Sequence, residues 1–260
     1  MDLHAIANAH LGNLRDVGGG PTSDGGTVAR GVAYRSAELA DERIVDDPDL
    51  ARLAVRTVVD LRTAAERDTR PDHVPAGADH VVLDVLADMP TSAAGRVNAL
   101  FGDPGGLARA LGGVDLAEQM RETYRQLVVS DSARRAYAAF VRVVVDPDRT
   151  PVLFHCTAGK DRTGWAATIL LLAAGADEAA VAEEFLAVNP AVRATFAPLL
   201  AQLGEHADLV APMLEVRADY LAAALAQVSE SYGSFDAYLG DGLGLSDLEI
   251  GALRRTMRGD

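Results

Sequence analysis

The sequence predicts an α/β core followed by a helical C-terminal half. Three observations carry that reading. Arg56-Thr57-Val58-Val59-Asp60-Leu61 and Val152-Leu153-Phe154-His155 are short, β-branched or apolar runs of the kind that form buried strands. Amphipathic helical spacings lie between them. Beyond residue 162 one helical pattern follows another with no further strand. Strands that alternate with helices early, then helices alone, fit such a core.

Taken in order, Asn13–Val17 and Gly31–Arg35 read as two paired extended segments. A Gly/Pro/Ser-rich loop at 18–27 joins them. Residues 48–54 read as a short helix, and 80–85 (HVVLDV) as another strand. Residues 86–113 are irregular, with Leu100, Phe101, Leu107 and Leu111 set among Gly, Pro and Ala. Such a segment is either a lid or a long surface excursion. Leu116, Met120, Tyr124 and Leu127 recur at helical spacing, and so do Ala133, Tyr137, Phe140 and Val144. A helix over about 162–174 is apolar almost all round and is therefore expected at the centre. Asp177 caps the next helix and Asn189-Pro190 breaks it. Leu214, Leu221, Leu225 and Val228 mark one long amphipathic helix. Ser246 and Glu249 form a capping-box signature ahead of Ile250, Leu253 and Met257. No repeat of fixed period is visible.

Composition narrows the function. The chain of 260 residues suits one large domain, and 49% apolar residues suffice for a core. The formal net charge of −14 argues against nucleic acid and against stable association with an anionic membrane. A small basic pocket for an anionic substrate remains compatible with that charge. One cysteine excludes an internal disulfide and a cysteine-rich zinc site. The N-terminal run MDLHAIANAHLGNLRD lacks a basic start followed by an apolar stretch, so no signal peptide is expected. Trp165–Ala174, the longest apolar run, is too short to span a bilayer, so a soluble chain is expected.

The chemistry concentrates in His155-Cys156-Thr157-Ala158-Gly159-Lys160-Asp161-Arg162-Thr163-Gly164, between a strand and a helix. Backbone amides from Thr157 to Arg162, through Ala158, Gly159, Lys160 and Asp161, can curl around an anion. The helix N-terminus adds positive partial charge. Gly159 and Gly164 permit the tight turn, and Arg162 can fork onto two phosphate oxygens. Cys156 lies at the base of that cradle, where the same field favours the nucleophilic thiolate. The Thr163 hydroxyl can donate to the sulfur as it departs. His155 points away from the cup if the strand continues, and is expected to order the loop through its ring nitrogens. A lone cysteine is more often a small buried apolar residue. Here strand, Cys, Gly, Lys, Arg, Thr and helix stand in one order, which favours the catalytic role.

This segment resembles the phosphate loop of protein tyrosine phosphatases, pattern H-C-x-x-G-x-x-R-[ST]-G. Its AGKDRTG version is similar to that of the atypical bacterial, PtpB-like group. Asn13–Gly19, Tyr34–Leu39, Val59–Arg62, Tyr232–Phe235 and Tyr238-Leu239 extend the resemblance over nearly the whole chain. The resemblance implies a single phosphatase domain over 1–260, built on a central, mainly parallel sheet flanked by helices. It places the active site beyond the carboxyl ends of the strands. It also implies a helical lid, for which 86–130 is the candidate, with Phe101, Leu107 and Leu111 on its inner face. Ordinary core packing of those three residues is at least as good a reading. The implied reaction is hydrolysis of phosphotyrosine through a phosphocysteine, with phosphoserine, phosphothreonine or phosphoinositide as side substrates. The implied partner is a phosphorylated protein or peptide; no cofactor and no metal are needed. The cytoplasm, or export without a recognisable signal, is the expected place.

A leaving oxygen needs a proton. Two carboxylates compete to supply it. Asp161 lies inside the loop and resembles the loop aspartate of the PtpB-like group; its plainer role is to hold the loop or pair with Lys160. Asp60 ends a neighbouring strand; its plainer role is a salt bridge with Arg15, Arg35 or Arg62. Asp161 is favoured, with Asp16 a distant third. Lys160 also resembles a loop lysine of lipid phosphatases that favours multiply phosphorylated inositol heads. Thr157 and Asp161 depart from that pattern, and Lys160 can instead pair with a carboxylate lining the lid. Arg62, Arg67 and Arg70 either add local positive potential or form a solvated face. Two competing functions are a silent phosphate-binding module and a rhodanese-like sulfurtransferase. The complete Cys, Arg and Thr set weighs against the first, and the six-residue step from Cys to Arg against the second. An arsenate reductase would need further cysteines.

Overall fold

The computed structural model describes residues 4–89, 113, 115–204 and 207–260. The candidate inner-face residues Phe101, Leu107 and Leu111, and most of the 86–130 lid candidate, lie outside the described residues.

Among the described residues, five strands form one sheet in the order β1-β2-β5-β3-β4. They are β1 (Arg15–Asp16), β2 (Ala33–Ser36), β3 (Thr57–Asp60), β4 (Asp79–Val82) and β5 (Val152–His155). β1 pairs with β2 antiparallel; every other pairing is parallel. The mainly parallel sheet therefore exists as expected, with the paired segments 13–17 and 31–35 at one edge.

Alternation along the strands feeds two cores. Ala33, Val59, Val152 and Phe154 join the larger one, with the helices of the C-terminal half. Tyr34, Val58 and Leu153 join Leu11, Leu14, Leu39, Ile44 and Leu50 on the opposite face. A sheet covered on both faces needs apolar side chains at successive positions, which is why β3 and β5 read as unbroken apolar runs. Edge strand β4 is largely exposed.

Short helices α1 (Pro48–Ala51) and α2 (Ala64–Thr69) precede and follow β3. The next two are α3 (Leu116–Val129) and α4 (Asp131–Val144), each capped by the side chain before it, Asp115 and Ser130. The central helix α5 (Asp161–Ala174) is buried along nearly its full length. Then come α6 (Glu178–Leu186), α7 (Asn189–Leu203), α8 (Ala207–Leu214), α9 (Ala218–Tyr232) and α10 (Asp247–Arg258). Asp177 caps α6, and Ser246 with Glu249 closes the capping box of α10. Trp165 on α5 donates its ring N–H to Tyr238 Oη at 3.1 Å, which ties the C-terminal segment to the centre.

The single helix expected through Leu214, Leu221, Leu225 and Val228 is two helices. Leu214 ends α8, and α9 begins at Ala218. The Asn189 side chain donates to Val216 O at 2.9 Å and accepts from Val216 N at 2.9 Å. An amide that satisfies both backbone groups of Val216 removes them from any continuous helical ladder.

Register levels Ser36, His155 and Asp60 across β2, β5 and β3. The carboxyl ends of three strands thus open onto the same rim, where the loop after β5 begins.

Candidate active site

Cys156 follows β5, and Thr157 to Lys160 lead into α5. Gly159 has φ +66°, and a Cβ built there would lie 2.2 Å from Ser36 O. Only glycine fits that contact and that backbone region. α5 begins with no side-chain cap. Its first-turn amides therefore face the loop without the partner that most helices recruit. Among the described residues, none of the amides of Thr157, Ala158, Gly159 and Lys160 donates to a protein acceptor. Two buried side-chain donors close by have no hydrogen-bond partner, Arg162 Nε and Thr163 Oγ1. Buried donors are nearly always satisfied, so these two, set with the loop amides around one 2% exposed cysteine, suit a seat for an acceptor-rich ligand.

The loop is braced from beneath. Asn13 donates to Ala158 O at 3.2 Å and Gly159 O at 3.0 Å. Arg35 donates to Gly159 O at 2.9 Å, and its other nitrogen grips both oxygens of Glu184 at 3.0 and 2.9 Å. Glu38 N donates to Thr157 O at 3.1 Å, and Tyr137 Oη to Arg162 O at 3.1 Å. Carbonyls are thereby held outward, which leaves the amide edge of the loop for a ligand.

Arg162 is aimed by Glu66. NH1 meets Glu66 Oε2 and NH2 meets Oε1, both at 2.7 Å. Glu66 also accepts from the Thr157 hydroxyl, and from Thr63 N at 2.9 Å and Thr63 Oγ1 at 2.8 Å in the capping box of α2. Burial pushes the Glu66 carboxyl up, but the charge and hydrogen bonds of Arg162, with those of Thr157 and Thr63, outweigh it and hold the group well below the ordinary carboxylate range. Burial likewise opposes charge on Arg162, and Glu66 and Cys156 outweigh it, raising that guanidinium further.

The two carboxylates weighed for proton transfer differ in setting. Asp161 is buried beside the loop. It accepts from Lys160 Nζ at 2.9 and 2.7 Å and from Tyr124 Oη at 2.9 Å. Lys160 thus pairs with its neighbour. Asp60 is fully buried and spent on Arg62, which donates from Nε at 3.0 Å and NH2 at 2.9 Å. Arg62 also reaches Glu38 and Asp72, so it is neither a solvated arginine nor a free source of positive potential. Arg67 donates to Arg62 O, and Arg70 pairs with Glu38. His155 is buried, with Nδ1 3.2 Å from Cys156 O and Nε2 3.2 Å from Asp72 Oδ2. It therefore faces away from the cradle.

A family model described as the tyrosine phosphatase family matches residues 6–259. The chain belongs to that family. As a member it is a protein-tyrosine phosphatase, a phosphoric monoester hydrolase. It is 32% identical to the triple specificity protein phosphatase PtpB of Mycobacterium tuberculosis, over 95% of this chain and 96% of that one. It is 30% identical to a tyrosine-protein phosphatase of Nostoc commune, over 85% of this chain and 72% of that one. Among the described residues, no helix is long and apolar enough to cross a membrane.

Sequence reasoning missed several parts of this candidate site. Glu66 carries a local signal, the Thr63-x-x-Glu66 spacing of a capping box, but nothing local ties it to Arg162. Tyr124 read as a core residue, which it is, and its hydroxyl still finds Asp161. Glu184 and Asp72 stand far from the loop in sequence and carry no motif.

Proposed function

We propose that this phosphatase hydrolyses phosphotyrosine through a phosphocysteine on Cys156. The observation that carries the reading is the set of unpaired donors around that sulfur: four loop amides, Arg162 Nε and Thr163 Oγ1. Together they suit the equatorial oxygens of a phosphoryl group in transfer.

The Cys156 thiolate attacks phosphorus, and the P–O bond to the leaving group breaks. Asp161, the carboxylate beside the loop, gives a proton to the departing oxygen. Tyr124 and Lys160 orient it. Water then attacks the phosphocysteine, Asp161 takes its proton, and inorganic phosphate leaves. Thr163 donates to the departing sulfur. Asp60 suits this role less, since it ends β3, outside the loop that carries Cys156 and Asp161, and is bound by Arg62. No metal enters any step. Lys160 is paired with Asp161, which favours singly phosphorylated substrates over multiply phosphorylated inositol heads.

The test is rapid acid quench with para-nitrophenyl phosphate in chelator, followed by mass spectrometry. A phosphoryl adduct on Cys156 and its loss in Cys156→Ser are expected, with vanadate binding retained in the variant. Tight vanadate binding by the wild type without turnover would make the protein a phosphate-binding module instead. Parallel rates on phosphotyrosine, phosphoserine and phosphoinositide substrates rank the substrate classes.

A further inference from the structure

A peptide unit is planar and trans, so the C=O of one residue and the N–H of the next point in opposite directions. Whatever holds a carbonyl of the phosphate loop outward therefore aims the following amide inward. Glu38 N holds Thr157 O and so aims the Ala158 amide. Arg35 and Asn13 together hold Gly159 O, at 2.9 and 3.0 Å, and aim the Lys160 amide. Between these two lies Ala158 O. Among the described residues its one donor is Asn13 Nδ2, at 3.2 Å, so the Gly159 amide is aimed by that side chain alone.

The same peptide is the one that local preference protects least. Overturning it swings ψ of Ala158 and φ of Gly159 in opposite senses. Glycine populates both signs of φ about equally, and alanine is allowed in both the helical and the extended range of ψ. A flip there would put a carbonyl oxygen where the cup needs a donor, and an anion in the cup would meet a repulsive dipole in place of an attractive one.

Asn13 holds this place against two costs of its own. Its φ is +54°, in the left-handed region that disfavours any side chain with a Cβ. Its Oδ1 is buried with no hydrogen-bond partner, a state that buried acceptors nearly always avoid. The amide cannot turn over to relieve it, because Nδ2 faces two carbonyls and only a donor fits there. A turn by itself would be better served by glycine, which takes that backbone freely and leaves no orphan acceptor. Strained residues of this kind persist at sites where the surrounding structure uses them, and the use visible at Asn13 is its grip on the loop.

We infer that Asn13 is a positioning residue, a lock that keeps the Ala158–Gly159 peptide from flipping and so keeps the Gly159 N–H turned into the cup. It acts through the loop, and the inference rests on the reading of that loop as a phosphate seat. The test measures orthovanadate affinity by calorimetry, with Tm in parallel, on the full-length wild type, Asn13→Gly and Asn13→Asp. Asn13→Gly removes the lock but also relieves the backbone strain and the orphan acceptor, so its Tm should stay within about 4 °C of wild type. Its Kd for vanadate should nonetheless rise about tenfold or more, with a fall in kcat on para-nitrophenyl phosphate. Asn13→Asp keeps the shape but turns an acceptor toward both carbonyls, and its vanadate affinity should fall at least as far. A merely structural Asn13 would leave the affinity of the folded Gly variant unchanged; that result, or wild-type affinity in the Asp variant, overturns the lock. If the wild type itself binds no vanadate, the phosphate-seat reading fails first and the lock falls with it.

Discussion

Replacing Glu66 asks whether the arginine of the phosphate loop is held by its carboxylate partner or merely lies near it. Glu66 and Arg162 are 5% and 3% exposed, and two 2.7 Å hydrogen bonds join them. Glu66→Ala leaves the guanidinium buried without compensation. Breaking a buried pair by removing one partner costs about 3–5 kcal/mol. Loss of the capping box with Thr63 adds about 1 kcal/mol. In a chain of this size each kcal/mol lowers Tm by roughly 2–4 °C, so a fall of roughly 8–24 °C is expected by calorimetry at neutral pH. Glu66→Gln keeps the volume and the cap but turns an acceptor toward Arg162 into a donor. It should lower kcat about tenfold or more with a rise in KM, because Arg162 meets ground state and transition state alike. A Gln variant with Tm within about 2 °C of wild type and unchanged kcat/KM would refute the reasoning.

The same pair sets an acid limit. Glu66 in the folded chain is held below its unfolded value. Its stabilising share is complete above the unfolded carboxylate value of about 4.3 and is lost as pH falls from there toward the folded value. Wild type should therefore lose stability below about pH 4 more steeply than Glu66→Gln, which has no carboxyl to protonate.

The other expectations are these. Asp161→Asn should remove the basic limb of the pH–rate profile; if Asp60→Asn removes it instead, proton transfer belongs to Asp60 acting past Arg62. Arg162→Ala should raise KM and lower kcat together in steady-state assays on para-nitrophenyl phosphate. Gly159→Ala places a Cβ 2.2 Å from Ser36 O in left-handed backbone, so chemical denaturation should show a loss of about 2 kcal/mol or more, with vanadate affinity falling in parallel.

How much of this was legible in the sequence depended on whether the cause was local. The loop from Cys156 to Arg162 is contiguous, and its glycine, its uncapped helix start and its strand all act within a few residues. β3 and β5 announced themselves because a doubly covered parallel sheet demands unbroken apolar runs. The caps Asp177 and Ser246 worked for the same local reason. Arg62 was ambiguous because an arginine two positions past a short strand looks solvated until Asp60, Asp72 and Glu38 close around it. The break after Leu214 was invisible because Asn189, which causes it, is 27 residues from Val216. Glu66, Glu184 and Asp72 share that difficulty, since each acts on a residue that only the fold brings near.

The charge arrangement explains how a chain of net charge −14 can seat a doubly negative group. The cations nearest the loop are each matched: Arg162 by Glu66, Arg35 by Glu184, Lys160 by Asp161 and Arg62 by Asp60 and Asp72. What stays unmatched is uncharged or is one edge of a matched group: four loop amides, the Thr163 hydroxyl and Arg162 Nε. Fixed dipoles of that kind need no counter-ion to be stripped away and no side chain to be reordered as charge moves from oxygen to sulfur. A second phosphate on the substrate would meet no unmatched cation among these residues. On the proposed reading, the same pairing that lets buried arginines persist in an acidic protein suits the site to a single phosphoryl group.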